Sequence, residues 1–410
     1  MTNKEEFSFE DGKRKLPSGW RWVKLGHVCD FIGGMQPPKH TFKYEPLPGY
    51  VRLVQIQDFR RSDVAVYIPI EEAKRNFDES DVMIGRYGPP LFQILRGLSG
   101  AYNVALIKTV PKDGLLKDYL YYLLQEPTIQ NVVIAQSQRS AGQTGLQKEF
   151  VENLIVPLPP LDEQKRIAAI LNEKMEGVEE ARRNAIAQLE AAKDLPAAYL
   201  RAVFNNPEAQ KWQIKKLREI CYGDGQYGTS EASNDTDDGL PMLRMGNIYE
   251  GRILWENLKY IQLPEKQERK YRLIKGDIIF NRTNSAELVG KTAVFEDSRD
   301  AVFASYLIRF RVLEELAIPN YIAAYINSES GRKFIEANMA RAIGQVNISA
   351  STMHKMPIPL PPLSDQKHIA ATLTGKIAEA EQLCKTLKEQ LEAIKKLPAA
   401  FLRQAFNGEL

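Results

Sequence analysis

The chain of 410 residues has little of several things that would mark a function. Its three cysteines, Cys29, Cys221 and Cys384, are widely spaced and form no C-x-x-C pair. That excludes a disulfide framework and a zinc knuckle, and leaves buried free thiols as the expectation. The four histidines, His27, His40, His354 and His368, include no H-E-x-x-H and cluster with neither Cys nor paired carboxylates, so no protein-borne metal site is expected. No apolar run approaches the roughly 18 residues needed to span a bilayer. The start, MTNKEEFSFEDGKRK, has charges of both signs and no apolar signal core. The expectation is a cytoplasmic protein with a loose N-terminal tail. Net charge is also small, +3, less than the basic excess of a dedicated nucleic-acid binder.

The composition itself, 44% hydrophobic and 26% charged, is that of a folded globular chain long enough for two or three domains. Basic residues gather locally: Lys13-Arg14-Lys15, Arg60-Arg61, Lys266 with Arg269, Lys270 and Arg272, and Arg309 with Arg311. Without further information such clusters read as solvated charged faces.

The dominant feature is internal repetition. The segment from Pro157, PLPPLDEQKRIAAILNEKMEGVEEARRNAIAQLEAAKDLPAAYLRAVFN, aligns without a gap to that from Pro359, about half identical at a constant offset of 202 residues. Weaker matches lie upstream. WRWVKLGHVC from Trp20 faces WQIKKLREIC from Trp212, and DVMIGRYG from Asp81 faces DIIFNRTN from Asp277. DYLYYLL at Asp118 faces NYIAAYI at Asn320, and Gly142-Gln143 faces Gly344-Gln345. Each half is therefore a variable globular domain followed by a near-constant helical segment.

The repeat bears on one tempting motif. YGDGQYGTS, Tyr222 to Ser230, places Gly223, Gly225 and Gly228 in the G-x-G-x-x-G spacing of a dinucleotide loop. Such a loop needs a buried strand before it and a helix opening after it, and the flanks KKLREICY and EASNDTDDGLP offer neither. The first half has DFIGGMQPP here, and alignment on Cys29 and Cys221 leaves only Gly33 opposite Gly225 shared. Both stretches read as tight loops rather than cofactor sites.

The near-constant segments read as long helices. Asp162 and Ser364 are the expected N-caps, with Glu163 or Asp365 in the first turn. Apolar residues recur at alternating three and four steps: Ile167, Leu171, Met175, Val178, Ala181, Ala185, Leu189 and Ala192, then Ile369, Leu373, Ile377, Ala380, Leu383, Leu387, Leu391 and Ile394. Pro196 and Pro398 are expected to end each helix and start a short further one. Roughly 32 residues give a rod of about 48 Å. The exposed seam of each helix predicts the other as partner, in a pseudo-two-fold antiparallel pair with the globular domains at opposite ends.

Two variable domains, each followed by PLPPLxEQxxIAxxL and a closing LPAAxLRxAFN, closely resemble the specificity subunit of Type I restriction-modification enzymes. The resemblance covers nearly the whole chain. It departs at Ser364-Asp365, where the first copy has an acidic pair, and at His368, where the first copy has Arg166. It implies an α+β fold in which two homologous target recognition domains, of mixed sheet and helices, are separated and joined by two long helices forming an antiparallel coiled coil with pseudo-two-fold symmetry. The implied segments are 1–156 and 206–358 for the recognition domains and 157–205 and 359–410 for the helical spacers. It further implies that each domain reads half of a split site in double-stranded DNA. The helices would set the spacing and dock two modification subunits, which bind S-adenosylmethionine and methylate adenine, and a restriction subunit would use ATP and Mg. Two readers about one helical turn of DNA apart, on the order of 34 Å, fit a rod of that length.

The chain carries no convincing catalytic apparatus of its own. DFIGG is a poor S-adenosylmethionine loop, YGPPL at Tyr87 has Gly88 where Asn or Asp should precede the prolines, and there is no Walker A motif. A non-catalytic subunit without its own cofactor or metal is expected. DNA readers are sought among Arg, Lys, Asn, Gln and hydroxyl side chains in loops that are equivalent but different between halves. In the first domain these are Gln36, Gln55, Gln57, Arg60, Arg61, Arg86, Tyr87, Arg139, Gln143 and Thr144. In the second they are Tyr227, Arg244, Asn247, Asn281, Arg282, Thr283, Asn284, Arg341, Gln345 and Asn347. Asn247 and Asn284 also suit turns, Arg244 a surface ion pair, and Gln143 and Gln345 loop anchors. Arg86 and Arg282, charged alike where their neighbours change, are assigned to phosphate. Leu171, Leu189, Leu373, Leu387 and Leu391 are assigned to helix packing. Gln164, Lys165, Arg201, Phe204, Gln366, Lys367, Arg403 and Phe406 are assigned to docking of the modification subunits, with packing against their own domain as the alternative for the two phenylalanines. Competing readings are a specificity module for a fused methyltransferase-nuclease, a coiled-coil scaffold pairing two protein-binding domains, and an autonomous methyltransferase.

Overall fold

A computed structural model describes residues 16–410 except 62, 64, 89, 140–144 and 343–344, and leaves the side chains of 138, 139 and 342 undescribed. The chain forms two compact units, Met1–Ala185 with Gln390–Leu410, and Ile186–Glu389.

In the first unit one antiparallel sheet runs Cys29–Gly33, Leu106–Pro111, Met83–Gly85, Gln93–Leu95. A second sheet runs Val66–Pro69, Tyr50–Val54, Gly100–Tyr102, Asn76–Phe77, with Leu53 and Ala101 paired in parallel. The strands are short and rich in Val, Ile and aromatic residues; the first sheet meets the helices Lys117–Leu123 and Pro127–Arg139 in one core, while the buried residues of the second form smaller clusters around Val54 with Tyr102 and Leu53 with Ile68. The ends of the domain are tied by a ribbon, Arg21–Lys24 against Ile155–Leu158.

The second unit repeats this plan. Its four-stranded sheet is Gln226–Tyr227, Leu307–Phe310, Ile278–Asn281, Thr292–Val294, and its second sheet is Lys259–Ile261, Leu240–Leu243, Val302–Phe303. Leu243 pairs with Phe303 in parallel, as Val54 does with Tyr102. The closing ribbon is Gln213–Lys216 against Pro357–Leu360. A buried aspartate stands at the same place in both: Asp81 meets Lys108 and Lys117, each at 2.5 Å, and Asp277 meets Arg311 at 2.5 Å and Arg309 at 3.5 Å. A buried carboxylate survives only when paired, and each also accepts a backbone N–H, from Asp78 or Ile274. Arg309 is therefore an internal partner, not part of a solvated basic face.

The long helices are Leu161–Phe204 and Leu363–Phe406, 44 residues each and thus about 66 Å long. They begin one residue before the expected caps: the carbonyls of Pro160 and Pro362 accept from Gln164 and Gln366 at 3.0 Å, which places Asp162 and Ser364 inside the first turn. Neither Pro196 nor Pro398 ends its helix. An interior proline costs about 3 kcal/mol. Continuing buries Leu200 and Phe204, or Leu402 and Phe406, worth about 1.5–3 kcal/mol for each side chain, which outweighs the break.

The helices run antiparallel within each unit. In the first, Ile167 and Leu171 share a core with Leu402 and Phe406, and Lys174 lies 4.6 Å from the Phe401 ring. In the second, Leu200 and Phe204 share a core with Ala370 and Leu373, and Lys376 lies 5.3 Å from the Tyr199 ring. Of the expected packing leucines, Leu171, Leu189, Leu373 and Leu387 are buried and Leu391 is half-buried, while Leu383, on the predicted stripe, is exposed. Each helix thus starts on its own domain and ends in the core of the other unit. Phe406 sits 5.4 Å edge-on to Tyr119, and Phe204 sits 5.6 and 5.2 Å from Tyr321 and Tyr325. Neither phenylalanine is free to dock a partner, and neither packs on the domain that precedes it.

Candidate nucleic-acid interface

One strand end is built alike in both domains. After Met83–Gly85 the Arg86 N–H donates to the Ala105 carbonyl at 2.8 Å, and its own carbonyl accepts from Leu146 at 3.0 Å. After Ile278–Asn281 the Arg282 N–H donates to Tyr306 at 3.0 Å, and its carbonyl accepts from Ile348 at 3.0 Å. The backbone frame therefore fixes an arginine between two loops in each copy. The Arg86 guanidinium stacks 5.3 Å from the Tyr87 ring and that of Arg282 4.9 Å from Tyr227. The two tyrosines come from different places in the repeat, yet each is exposed beside its arginine. Both Nε atoms are buried and have no hydrogen-bond partner among the described residues. Tyr227 is further held by its hydroxyl, which accepts from the Ala350 N–H at 3.0 Å.

The glycines near this point obey a rule that alignment on the cysteines missed. Gly34 and Gly228 donate to the equivalent carbonyls of Leu106 and Leu307 at 2.9 and 3.3 Å. A Cβ on Gly34 would lie 2.0 Å from the Asn103 carbonyl oxygen, and one on Gly228 2.2 Å from that of Phe303. These two are the shared glycines, not Gly33 and Gly225, and the second half carries two extra residues between its cysteine and this point. Gly228 is kept by close approach of backbone to backbone, which removes the last support for a cofactor loop.

The remaining expected readers divide. Exposed are Gln36, Gln57, Arg60, Arg61, Tyr87, Tyr227, Arg341 and Gln345, while Gln55, Arg86, Arg244, Arg282, Thr283, Asn284 and Asn347 are half-buried. Arg60 donates to Gln93 and Arg61 pairs with Asp63 at 2.8 Å. Thr283–Asn284 pairs with the strand Gln345–Asn347, which brings these residues beside Arg282. Asn247 is buried: it accepts from the Arg244 N–H at 3.0 Å and donates to the carbonyls of Leu254 and Glu256. Its equivalent is Asp58, which accepts from the Gln55 N–H at 2.8 Å, so both are turn anchors and Asn247 is not a base reader. Asn281 is wholly buried inside its strand, with its amide 3.4 Å from the Leu288 carbonyl, and cannot face a ligand. The side chain of Arg139, together with Gln143 and Thr144, lies outside the described residues.

Two docking assignments are also overturned. Gln164 is buried, accepts from the Leu116 N–H at 2.9 Å and donates to Gly114 and Pro159 at 2.8 and 2.9 Å. Gln366 repeats this with Ile318 at 3.0 Å, Leu316 at 3.1 Å and Pro361 at 2.9 Å. Both lock a helix start to a loop. Lys165, Lys367 and Arg403 are exposed, and Arg201 is exposed with Glu329 at 3.3 Å. Cys29, Cys221 and Cys384 are free, and burial pushes the first two thiols up to about 12. Among the described residues, no group of His, Cys, Asp or Glu is arranged to hold a metal, and no helix is long and apolar enough to cross a membrane.

The arrangement is that of a two-domain binding protein, offering paired hydrogen-bond donors and aromatic faces on two copies of one frame. The profile of the Type I restriction modification DNA specificity domain matches residues 17–190 and 209–393, and the chain belongs to that family, with two copies of the domain. It is 25% identical to the Type I restriction enzyme MjaVIII specificity subunit of Methanocaldococcus jannaschii, covering 96% of this chain and 94% of that one. It is 28% identical to the EcoKI specificity subunit of Escherichia coli, over 97% and 90%. Its fold matches the HsdS subunit from Thermoanaerobacter tengcongensis with a TM-score of 0.65, 24% identity and coverage of 97% and 99%. It also matches a chain of a type I R-M system with a TM-score of 0.73, 24% identity and coverage of 97% and 100%.

Proposed function

We propose that this chain supplies the address for a Type I restriction-modification complex, each domain reading one half of a bipartite site in double-stranded DNA. The observation that carries this reading is the doubled frame around Arg86 and Arg282: the backbone hydrogen bonds are the same, while the surrounding side chains differ. A guanidinium at a fixed place suits phosphate, common to every sequence, and differing neighbours suit base edges. The helices set the separation of the half-sites and, through exposed groups such as Lys165 and Lys367, receive two methyltransferase subunits. A restriction subunit completes the complex. The chain itself is non-catalytic, with S-adenosylmethionine, ATP and Mg belonging to its partners.

The test is to coexpress the chain with the methyltransferase subunit encoded beside it in a methylation-free host and map modified adenines by single-molecule sequencing. A split motif with a fixed gap, lost when this chain is omitted, is the expected result. A stable complex that modifies no adenine would overturn the reading.

A further inference from the structure

The second unit contains a cavity of about 950 Å³, bounded by residues 193–201 and 370–381 of the long helices and by the domain between 250 and 336. The repeat explains its origin. In the first domain the equivalent place is occupied from within: Arg96 lies 3.8 Å from the Tyr121 ring and donates to Asn172 at 3.2 Å, and the Tyr122 hydroxyl donates to Asn172 at 2.6 Å. Strand register places Val294 where the first domain has Arg96, since Met83 pairs with Leu95 and the equivalent Ile279 pairs with Ala293. The constant offset places Ala323 and Ala324 at Tyr121 and Tyr122, and Thr374 at Asn172. Val294, Ala323, Ala324 and Thr374 all line the cavity. Two phenol rings and a guanidinium of the first domain have no counterpart here, and the space they fill there stands open.

The chemistry of the walls narrows what can enter. Leu200, Leu373, Ile377 and Trp255 give an apolar floor. Around it stand seven carboxylates, among them Glu250, Glu287 and Glu336, against five cations. The cations are engaged: Lys193 with Glu190 at 2.7 Å, Arg201 with Glu329 at 3.3 Å, Arg252 with Glu381, Arg332 with the Val289 carbonyl, and Lys291 at 4.7 Å from the Tyr249 ring. Asp297 and Glu329 are in turn paired with Arg299 and Lys333 outside the lining, whereas Glu250, Glu287 and Glu336 have no ion pair among the described residues. The free charge on the walls is therefore negative, which disfavours phosphate and so disfavours nucleic acid.

We propose that this cavity receives a segment of a partner polypeptide, one per chain, which inserts an aromatic ring and an arginine where Tyr121, Tyr122 and Arg96 stand in the first domain. Because the first domain is filled, the site distinguishes the halves. Two identical subunits docked on matching surfaces would not. The inference does not rest on DNA reading, which is argued from Arg282, a residue that does not line the cavity.

The test is fluorescence anisotropy of the full chain with a labelled Gly-Tyr-Tyr-Ala-Arg-Gly peptide at low salt, beside a control peptide with Glu in place of Arg. Saturable one-to-one binding is expected, about tenfold weaker for the control peptide. The filled variant Val294→Arg/Ala324→Tyr, which introduces the equivalents of Arg96 and Tyr122, should lose about tenfold or more in affinity while folded by circular dichroism. Glu287→Gln/Glu336→Gln, two exposed changes, should weaken binding about threefold or more and decides the matter if the filled variant does not fold. A flat titration of the unaltered chain, equal binding of both peptides, or undiminished binding by a folded variant of either kind would overturn the proposal.

Discussion

Replacing Phe406 with alanine should loosen the first unit and leave the second intact, although residue 406 follows the second domain in sequence. Phe406 is 2% exposed, shares a core with Tyr119, Leu120 and Leu171, and meets the Tyr119 ring edge-on at 5.4 Å. Deleting a buried phenyl group costs about 3–5 kcal/mol, of which about 0.5–1.5 kcal/mol is the aromatic pair itself. At about 1.4 kcal/mol per decade, the lower bound raises the opening equilibrium of that core on the order of 10²-fold. Native-state amide exchange followed by mass spectrometry reads this directly, since protection tracks the free energy of local opening. Peptides covering Lys117–Leu123 should exchange faster by about that factor, while those covering Pro319–Asn327 should not change. Phe204→Ala should do the converse, because Phe204 packs on Tyr321 and Tyr325. Loosening of Pro319–Asn327 by Phe406→Ala, or an unchanged first unit, would refute the crossed assignment of the helix ends.

Gln164→Leu strands the Leu116 N–H and two carbonyls, and should lower Tm by about 5–10 °C in a thermal melt without a specific loss of partner binding by the folded chain. Gly34→Ala or Gly228→Ala forces a Cβ against a backbone oxygen and should cost more than about 2 kcal/mol in urea titration. Gly223→Asn, at φ 58° in open space, should cost about 1 kcal/mol or less. Burial alone would raise the Asp81 carboxyl, but Lys108 and Lys117 outweigh it and hold it below the usual range. Its stabilisation is therefore full above about pH 4 and lost as pH falls further through the lowered folded value, so Asp81→Asn should flatten the acid limb of the stability curve. Arg282→Ala should weaken DNA binding by the assembled complex alike on most sequences and reduce the salt slope by about one phosphate contact; a loss of preference at one half-site position instead would make it a base reader.

The repeat was legible because each half must bury the same helix seam, so Leu171 and Leu373 are both buried, and Gln164 and Gln366 make equivalent backbone hydrogen bonds. Their type could be read, but not always their role. A glutamine at a helix start looks like a surface group until its three partners, backbone groups of two separate segments, are in place. The prolines misled for a related reason. A local cost of about 3 kcal/mol is visible in sequence, whereas the compensating burial of Phe204 and Phe406 is made against residues far along the chain, Tyr321 and Tyr325 for the first and Tyr119 for the second. Asn247 and Asn281 misled because asparagine serves a turn, a strand interior and a base edge equally well, and only burial separates them.

What the two halves keep and what they change are separated by a physical boundary. The kept features are backbone contacts: the carbonyls that receive Gly34 and Gly228, the N–H and carbonyl of Arg86 and Arg282, and the N–H groups of Asp78 and Ile274 that donate to the buried aspartates. None of these depends on the identity of an exposed side chain. The changed features, such as Tyr87 on one frame and Thr283 at the same place on the other, belong to none of the hydrophobic core clusters. A surface substitution away from caps and buried networks is worth within about 0.5 kcal/mol of stability. The frame therefore tolerates a new reading surface at almost no cost to folding, provided the glycine, the arginine backbone and the aspartate are left alone. The same separation explains how the second half folds without the two tyrosines and the arginine that stand beside the helices in the first, since its core includes Leu200, Leu373 and Phe204.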